Sequence, residues 1–296
     1  QMEAILRRRA SRLEGEADAA DLVGLKAMPL EASEDRPRIL CAASDVGLLA
    51  IWKPPNWTVS LPDDEEFERP CEKSSPGAQP DTGHPLQSWV AEVLGRNYPV
   101  CRDPEHQYGL VHRLDRFTSG AVLCATSYAA LYLSQLQFAA RRVLKIYLAL
   151  CHGHLPHSTK MIEAPLSGSR QVDGSWRSVV DPHGRRAKTE ILQVIHLRGP
   201  GEASLVKVRL HTGRQHQIRA HLAFEGHPLV GDTGYGGDAE WCSRTFLHSA
   251  KLALTAGRPF QVTCPLPADL QEILMLLEPI SSEHRAAIEA IRAEFL

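Results

Sequence analysis

The chain has little cysteine, and none of it is arranged as a disulfide framework or a zinc ribbon. Its seven cysteines are scattered, odd in number and never spaced C-x-x-C. This pattern favours a reducing intracellular compartment. No stretch approaches about 18 apolar residues and no secretory h-region opens the chain, so we expect no membrane partner. Because residue 1 is Gln, we expect the natural chain to begin earlier, with any targeting segment missing from this one.

Phosphate loops and metal-ligand spacings are also missing. No G-x-G-x-x-G or G-K-[ST] motif occurs, which argues against a nucleotide cofactor. His211, His216 and His221 recur every five residues, but neither a helix nor a strand places that spacing on one face. The sequence therefore predicts no cofactor and no metal ion.

Charge is almost balanced over the whole chain, but it is unevenly distributed. Among 296 residues the net charge is −2. Residues 139–219 hold 14 Lys and Arg against 5 Asp and Glu, whereas residues 1–73 hold 10 against 15. A basic middle segment in a neutral chain indicates a face that meets a polyanion, with solvated basic loops as the alternative.

The order of predicted elements indicates an α+β protein. Residues 1–38 are charged and alanine-rich and are predicted to form a poorly ordered arm. One domain is predicted from 39 to 296, with exposed insertions near 61–83 and 156–182. Strand-like runs outnumber helical ones and mostly follow one another, which favours a largely antiparallel mixed sheet with flanking helices. A helix near 127–142 is expected to carry Ala129, Leu133, Leu136 and Ala140 on one side, and 267–278 is expected to form the terminal helix.

Polar side chains gather in four segments beyond what a sheet requires. VHRLDRFTSG (111–120) places Asp115 between two arginines, and LKIYLAL places Lys145 and Tyr147 on one strand face. HTGRQHQIRAHL carries Arg214, His216, Gln217 and Arg219, and HPLVGDTGYGG carries an aspartate and a tyrosine. Taken singly, each has a plain structural explanation, such as an ion-paired loop aspartate or a core tyrosine. Together they supply the groups that handle a planar polar base beside a sugar.

These segments closely resemble the motifs of the RluA-type family of RNA pseudouridine synthases. HRLDRFTSG is similar to the family's HRLD-x-x-TSG signature and LKIYLAL to its K-x-Y-x-A-L strand. TGRQHQIRAHL resembles TGR-x-HQ-[IL]-R-x-H, HPLVGDTGYGG resembles HP-[IL]-x-GD-x-x-YG, and FLHSAKLAL resembles LHA-x-x-L. IWKPPNWTVS resembles the opening KP-x-G strand, although Asn56 stands where glycine is usual. The resemblance runs in the family's order over roughly residues 39–270.

The resemblance implies a pseudouridine-synthase-like fold with a central cleft and a set of site residues. Asp115 corresponds to the catalytic aspartate, Tyr147 to the active-site tyrosine and Arg219 to the aspartate's ionic partner, although Arg113 and Arg116 are nearer in sequence. Predicted RNA-binding residues are His112, Arg113, Arg116, Lys145, Arg214, His216, Gln217 and Leu247. The reaction would cleave N1–C1′ of uridine and rejoin the base through C5. Attack by Asp115 at C1′, attack at C6 and a glycal route all stay open.

Two other functions compete with this prediction. A catalytically silent RNA-binding or assembly factor could share the fold, but Asp115, Tyr147 and Arg219 are all present. A base-releasing nucleoside hydrolase would need no long basic surface. The expected partner is RNA, whether ribosomal, transfer or messenger, and the protein is expected to be monomeric. The family's accessory RNA-binding module has no counterpart in residues 1–38.

Overall fold

The computed structural model describes residues 34–59, 84–171, 176–254 and 259–295. These residues pack as two compact units: one holds the described residues up to Arg116 with Val122–Ala140, and the other holds Phe117–Ala121 with those from Arg141 onward. The insertion at 61–83 and most of the arm at 1–38 lie outside the described residues, and the predicted domain boundaries stay predictions. Within the described part, no helix combines the length and apolar character needed to cross a membrane.

The described part of the first unit begins with a β-hairpin. β1 (Arg38–Ala43) pairs antiparallel with β2 (Leu48–Lys53), and every residue of β2 is buried. Two short strands, β3 (Trp57–Thr58) and β4 (His84–Pro85), pair in parallel. β5 (Ser119–Ala125), also wholly buried, gives its last four residues to this unit.

The helix predicted near 127–142 is present in the first unit, together with three shorter described helices. α1 spans Leu86–Val93, two 3-10 helices span Pro99–Arg102 and Pro104–Gly109, and α2 spans Tyr128–Ala139. The Ser127 side chain caps α2 by accepting a hydrogen bond from the Ala130 amide. The buried residues of α2 are Tyr128, Ala130, Leu131 and Ser134, whereas the predicted apolar side is only partly buried and Ala140 is exposed.

The second unit is built on a sheet that confirms the predicted α+β class. Its strands are β6 (Val143–His152), β7 (Met161–Ile162), β10 (Thr189–Arg198), β11 (Glu202–Leu210), β12 (Leu247–Leu254), β13 (Phe260–Thr263) and β14 (Glu278–Pro279). Counted from the first residues of β5, the hydrogen-bonded strands of this sheet are in the order β5-β12-β6-β11-β10-β14. β13 also pairs with β12, and β7 also pairs with β10. The β5–β12 pair is parallel, whereas the other strand pairs here are antiparallel.

The segment predicted as an insertion at 156–182 contains a hairpin of its own. β8 (Leu166–Arg170) pairs antiparallel with β9 (Trp176–Val180). Residues 172–175 between them are not among the described residues. Leu166 packs with Ala187 and Ala220 in a small apolar cluster. This cluster ties the hairpin to α3 (Gln217–Phe224), the helix that carries Arg219.

Two C-terminal helices pack on the sheet of the second unit. α4 spans Ala268–Met275 and α5 spans Ser282–Phe295. The prediction that the chain's last helix lies at 267–278 was wrong, because α5 follows it. Ile288, Ile291 and Phe295 of α5 are buried in the main core together with Leu148 and Leu197 of the sheet.

Candidate active site

The Asp115 loop is held in the first unit by a fully buried lysine. Lys53, at the end of β2, has no exposed surface. Its Nζ donates hydrogen bonds to the carbonyl oxygens of Pro54 at 2.9 Å, Trp57 at 2.7 Å and Arg116 at 3.1 Å. A buried charge is tolerated when it is hydrogen-bonded this fully. Because Arg116 directly follows Asp115, this contact fixes the backbone beside the carboxylate.

Asn56 fills the position where the resemblance leads one to expect glycine. Its φ is 65°, in the left-handed region that asparagine tolerates better than other residues with a side chain. This conformation turns the chain so that the Trp57 carbonyl reaches Lys53. The substitution therefore preserves the turn.

His112 holds the same loop against its neighbours within the first unit. The Leu123 amide of β5 donates a hydrogen bond to His112 Nε2 at 3.0 Å, so that nitrogen is the acceptor and the ring is the Nδ1–H tautomer. The ring also stacks on Phe138 of α2, with centroids 5.1 Å apart. These contacts favour a positioning role, and direct RNA contact by His112 stays a prediction. Arg113, Asp115 and Arg116 are partly buried in this loop.

In the second unit, the residues that follow the Asp115 loop are fixed by close strand packing. Gly120 has a φ of 125°, and a Cβ there would lie 2.4 Å from the Ser249 carbonyl oxygen. Only glycine permits that approach between β5 and β12. The Thr-Ser-Gly end of the signature thus sets how these two strands meet.

A second buried cation, Arg244, contacts the same short segment within the second unit. Its Nη1 donates to the Phe117 carbonyl at 3.1 Å and its Nη2 to Ser119 Oγ at 3.2 Å. Ser119 Oγ also lies 3.0 Å from His248 Nδ1, and His248 Nε2 donates to the Cys264 carbonyl at 3.1 Å. Burial lowers the pKa of His248 to about 4, so the ring is neutral and accepts from Ser119.

Lys145 and Tyr147 lie on β6, two residues apart, as predicted. Tyr147 is buried, with its Cα opposite Val208 of β11 and Ser249 of β12. Lys145 Nζ donates to the Thr212 carbonyl at 3.4 Å. Desolvation, with additional repulsion from Arg141 and Arg214, lowers the pKa of Lys145 to about 8. Three cations therefore crowd one end of this strand.

Gln217 organises the turn that precedes α3. Its Oε1 accepts from Thr212 Oγ1 at 2.6 Å and from the Arg214 amide at 3.1 Å. Its Nε2 donates to the Lys188 carbonyl at 3.1 Å and to Thr189 Oγ1 at 2.9 Å. The amide thus has two bonds at each end, which fills its capacity. This geometry favours a positioning role for Gln217, whose contact with RNA stays a prediction.

Arg219 forms a two-pronged ion pair with Asp232. Arg219 Nε lies 2.6 Å from Asp232 Oδ2 and Nη2 lies 2.8 Å from Oδ1. The side chains are 13% and 1% exposed, so the pair is nearly removed from water. The guanidinium also lies over the Tyr235 ring, 4.8 Å from its centroid, as a cation–π contact. The predicted pairing of Arg219 with Asp115 stays a prediction.

Tyr235 joins this ion pair to the β8–β9 hairpin. Its hydroxyl donates to the Ser178 carbonyl and accepts from the Ser178 amide, both at 3.0 Å. His216 Nδ1 lies 3.1 Å from the same oxygen, so Nδ1 carries the proton that completes the set. His216 itself is left-handed, with a φ of 52°. The Arg219 region therefore depends on three separate segments.

The three histidines that recur every five residues each contact a different partner. Leu247, a predicted RNA-binding residue, is buried at the start of β12. His211 Nε2 lies 2.7 Å from Glu190, and His221 contacts Thr189 Oγ1 and the Ala164 carbonyl, both at 2.8 Å. Burial lowers the pKa of His221.

The positioning roles of Lys53 and Arg244 were missed from the sequence. The only sequence signal for Lys53 was its place in the motif that resembles the family's opening KP-x-G strand.

Comparison with known proteins agrees with the motifs. The family described as RNA pseudouridylate synthase matches residues 47–224, which is more than half of the chain. An uncharacterized RNA pseudouridine synthase of Chloroflexus aurantiacus is 41% identical over 210 residues, covering 69% of this chain and 65% of the relative. Ribosomal large subunit pseudouridine synthase C of Vibrio vulnificus is 36% identical over 205 residues, covering 66% and 62%. The chain thus spans just under two thirds of these relatives' length.

A solved structure supports the same fold. Human RNA pseudouridylate synthase domain containing 1 is 25% identical and superposes with a TM-score of 0.61, covering 89% of this chain and 97% of that one. Matches in sequence, motif order and fold define one class of protein. The chain belongs to the RNA pseudouridylate synthase family, and its motifs are those of the RluA type.

Proposed function

We propose that this protein isomerises uridines in RNA to pseudouridine, with Asp115 as the catalytic aspartate. The observation that supports it most directly is that the family match includes an intact HRLD-x-x-TSG loop. Lys53 holds the backbone beside Asp115 by donating to the Arg116 carbonyl. Fixed placement of a reacting group is a main source of catalytic rate.

The proposed roles follow from the charge that develops during the reaction. Breaking N1–C1′ builds positive charge on the sugar, and a nearby carboxylate stabilises or captures it, as in glycosidases. Asp115 must therefore be ionised, and Arg219 is proposed as the cation that favours this state. Tyr147, buried on β6, is proposed to stack on the base and to help move the C5 proton.

The crowding of cations at Lys145 supports a polyanionic substrate. Arg141 and Arg214 both disfavour the charged form of Lys145. A phosphate group bound there would relieve this repulsion and would release counterions, which is the main source of RNA affinity. We propose structured RNA as the substrate, with the target uridine turned out of its stack. Large-subunit ribosomal RNA is the first candidate, because a relative is named for it.

The test is the product formed from RNA that carries labelled uridine. Digestion after incubation should release pseudouridine; free uracil would indicate a hydrolase, and no change would indicate a silent binding factor. Asp115→Asn should abolish product while RNA binding changes less than about tenfold, or 1.4 kcal/mol. Asp45→Asn, at an exposed aspartate of the β1–β2 turn, is the matched control. Measurable turnover by Asp115→Asn would place the chemistry on another residue.

The choice of RNA has its own test. Mapping pseudouridines in the RNA of cells that lack the protein should show the loss of specific positions in large-subunit ribosomal RNA. Loss confined to transfer or messenger RNA would reject the ribosomal substrate and leave the isomerase activity intact.

A further inference from the structure

Four imidazoles gather in the second unit, apart from the residues proposed for RNA modification. His154 and His157 follow β6, His196 lies on β10 and His284 lies in the first turns of α5. The ring centroids of His157 and His196 are 4.5 Å apart, and those of His196 and His284 are 5.0 Å apart. The ring of His154 also stacks on that of His196, with centroids 4.7 Å apart.

Nitrogen atoms of three of these rings converge. Ligand atoms of His157, His196 and His284 all lie within 4.8 Å of one another. His157 Nε2 and His284 Nε2 are 3.3 Å apart. Two ligands on a tetrahedral zinc ion, each at about 2.0–2.1 Å, lie about 3.4 Å apart. The His157–His284 pair thus has the spacing of one edge of a zinc site.

The tautomer of His196 suits the same use. Its Nε2 lies 2.7 Å from the Leu155 carbonyl and must donate to it. Nδ1 then keeps its lone pair. Metal-binding histidines commonly donate their other N–H to a backbone carbonyl, which fixes the ring and its basicity.

His284 is the side chain that packing alone explains least. It is 8% exposed, its buried Nδ1 has no hydrogen-bond partner, and its Nε2 faces another imidazole nitrogen. If the two facing nitrogens form an N–H···N hydrogen bond, only the acceptor nitrogen offers its lone pair. A cation bound by both nitrogens would accept a lone pair from each. His157 is exposed, which leaves an entry path for an ion and room for a water ligand.

The backbone around the cluster is held firmly. The Leu155 amide donates to Ser204 Oγ at 2.9 Å, and Ser204 Oγ donates to the Gly153 carbonyl at 2.8 Å. The Ile280 amide donates to the His196 carbonyl at 3.2 Å, just before α5 begins. Hydrogen bonds within the protein therefore fix three chain segments around the imidazoles.

We propose that His157, His196 and His284 bind a divalent transition-metal ion, with zinc as the fitting ion, and that the ion ties α5 to the sheet. Imidazole ligands suit zinc, copper and nickel but not magnesium or calcium. Zinc is commonly four-coordinate and tetrahedral, and three histidines with a water in the fourth position satisfy that geometry. The ion would have a structural role, because none of the three histidines is among the proposed catalytic residues.

The test is metal binding by the whole purified chain after treatment with a chelator. Calorimetric titration with zinc chloride should show one site, and magnesium chloride should show none. His157→Ala, at an exposed ligand, should weaken zinc binding at least tenfold, whereas His183→Ala, at an exposed histidine outside the cluster, should not. Zinc at 100-fold excess over its dissociation constant should raise the unfolding temperature by about 4 °C.

Cobalt distinguishes this site from the cysteines. Cobalt(II) should give the visible bands of a tetrahedral site without thiolate charge-transfer absorption, and His157→Ala should remove those bands. Three results would overturn the proposal: no binding of zinc, equal binding by His157→Ala and wild type, or a thiolate spectrum. None of these measurements depends on isomerase activity.

Discussion

Replacing Arg219 by alanine should destabilise the protein and stop its chemistry, for two reasons that can be separated. The side chain holds Asp232 by two hydrogen bonds, at 2.6 and 2.8 Å, and Asp232 is 1% exposed. Removing one partner of a buried ion pair leaves the other charge unsolvated, at about 3–5 kcal/mol. Total stability is about 5–15 kcal/mol, so the loss should be large but short of complete unfolding.

Comparison of four variants identifies the source of the loss. Arg219→Lys keeps the charge but not the fork and should recover only part of the stability. Asp232→Asn removes the buried charge itself, so the double variant with Arg219→Ala should be no less stable than Arg219→Ala alone. Arg198→Ala, at an exposed arginine of β10, should change stability by less than about 0.5 kcal/mol. Urea unfolding curves measure all four.

Single-turnover rates against pH, measured where every variant is folded, test the proposed link to Asp115. If Arg219 keeps Asp115 ionised, Arg219→Ala should lose more rate than Asp232→Asn, and its acid limb should move to higher pH. Equal losses would mean that Arg219 acts only by holding Asp232. A near-normal rate with an unchanged acid limb would refute the assignment. A stability loss below about 1 kcal/mol would contradict the estimate for the fork.

Four further outcomes are expected. Lys53→Met should lower both stability and turnover, because three carbonyls lose their donor, at about 1–3 kcal/mol for each buried group left unsatisfied; normal turnover would exclude a positioning role. RNA affinity should be full below pH 8 and fall as pH rises through the pKa of Lys145, about 8, and Lys145→Gln should remove that fall in binding titrations. His248 should contribute about 3 kcal/mol to the stability that is lost as pH falls from 6.5 to 4, because unfolding lets it bind a proton that its buried ring resists; His248→Gln should make that slope shallower in urea unfolding. Chelator-treated enzyme should still modify pre-folded RNA, and activity restored only by zinc would contradict this.

The positions of the main strands could be predicted, because the pattern of apolar residues along the chain is enough to identify a buried strand. β6, β11 and β12 are mostly buried runs, and β10 mixes buried with exposed residues; the positions of all four follow from the sequence. The orientation of α2 was not predictable, because apolar residues surround that helix and its buried face includes Ser134. The terminal helix α5 was missed although Ile288, Ile291 and Phe295 have helical spacing.

Partnerships between distant segments were beyond the sequence. Arg219 and Asp232 lie in two separate motifs, and nothing in either motif names the other as its ion-pair partner. Lys53 reaches a carbonyl 63 positions away, so the chain had to be folded before its role could be seen. The three histidines of the proposed zinc site come from a loop, a strand and a helix. Short motifs predict residue types, and only tertiary packing decides which of those residues meet.

The contacts also separate two kinds of residue within the family motifs. Gln217 is 2% exposed and its amide is saturated by the protein, and His112 accepts from a backbone amide of β5. Lys145, in contrast, lies among other cations, whose repulsion a bound anion would relieve. Gln217→Ala should therefore lower stability together with activity, whereas Lys145→Gln should lower RNA affinity with little change in stability. A motif residue whose loss affects folding and turnover in proportion positions the site, and only one that affects binding or rate alone contacts the RNA.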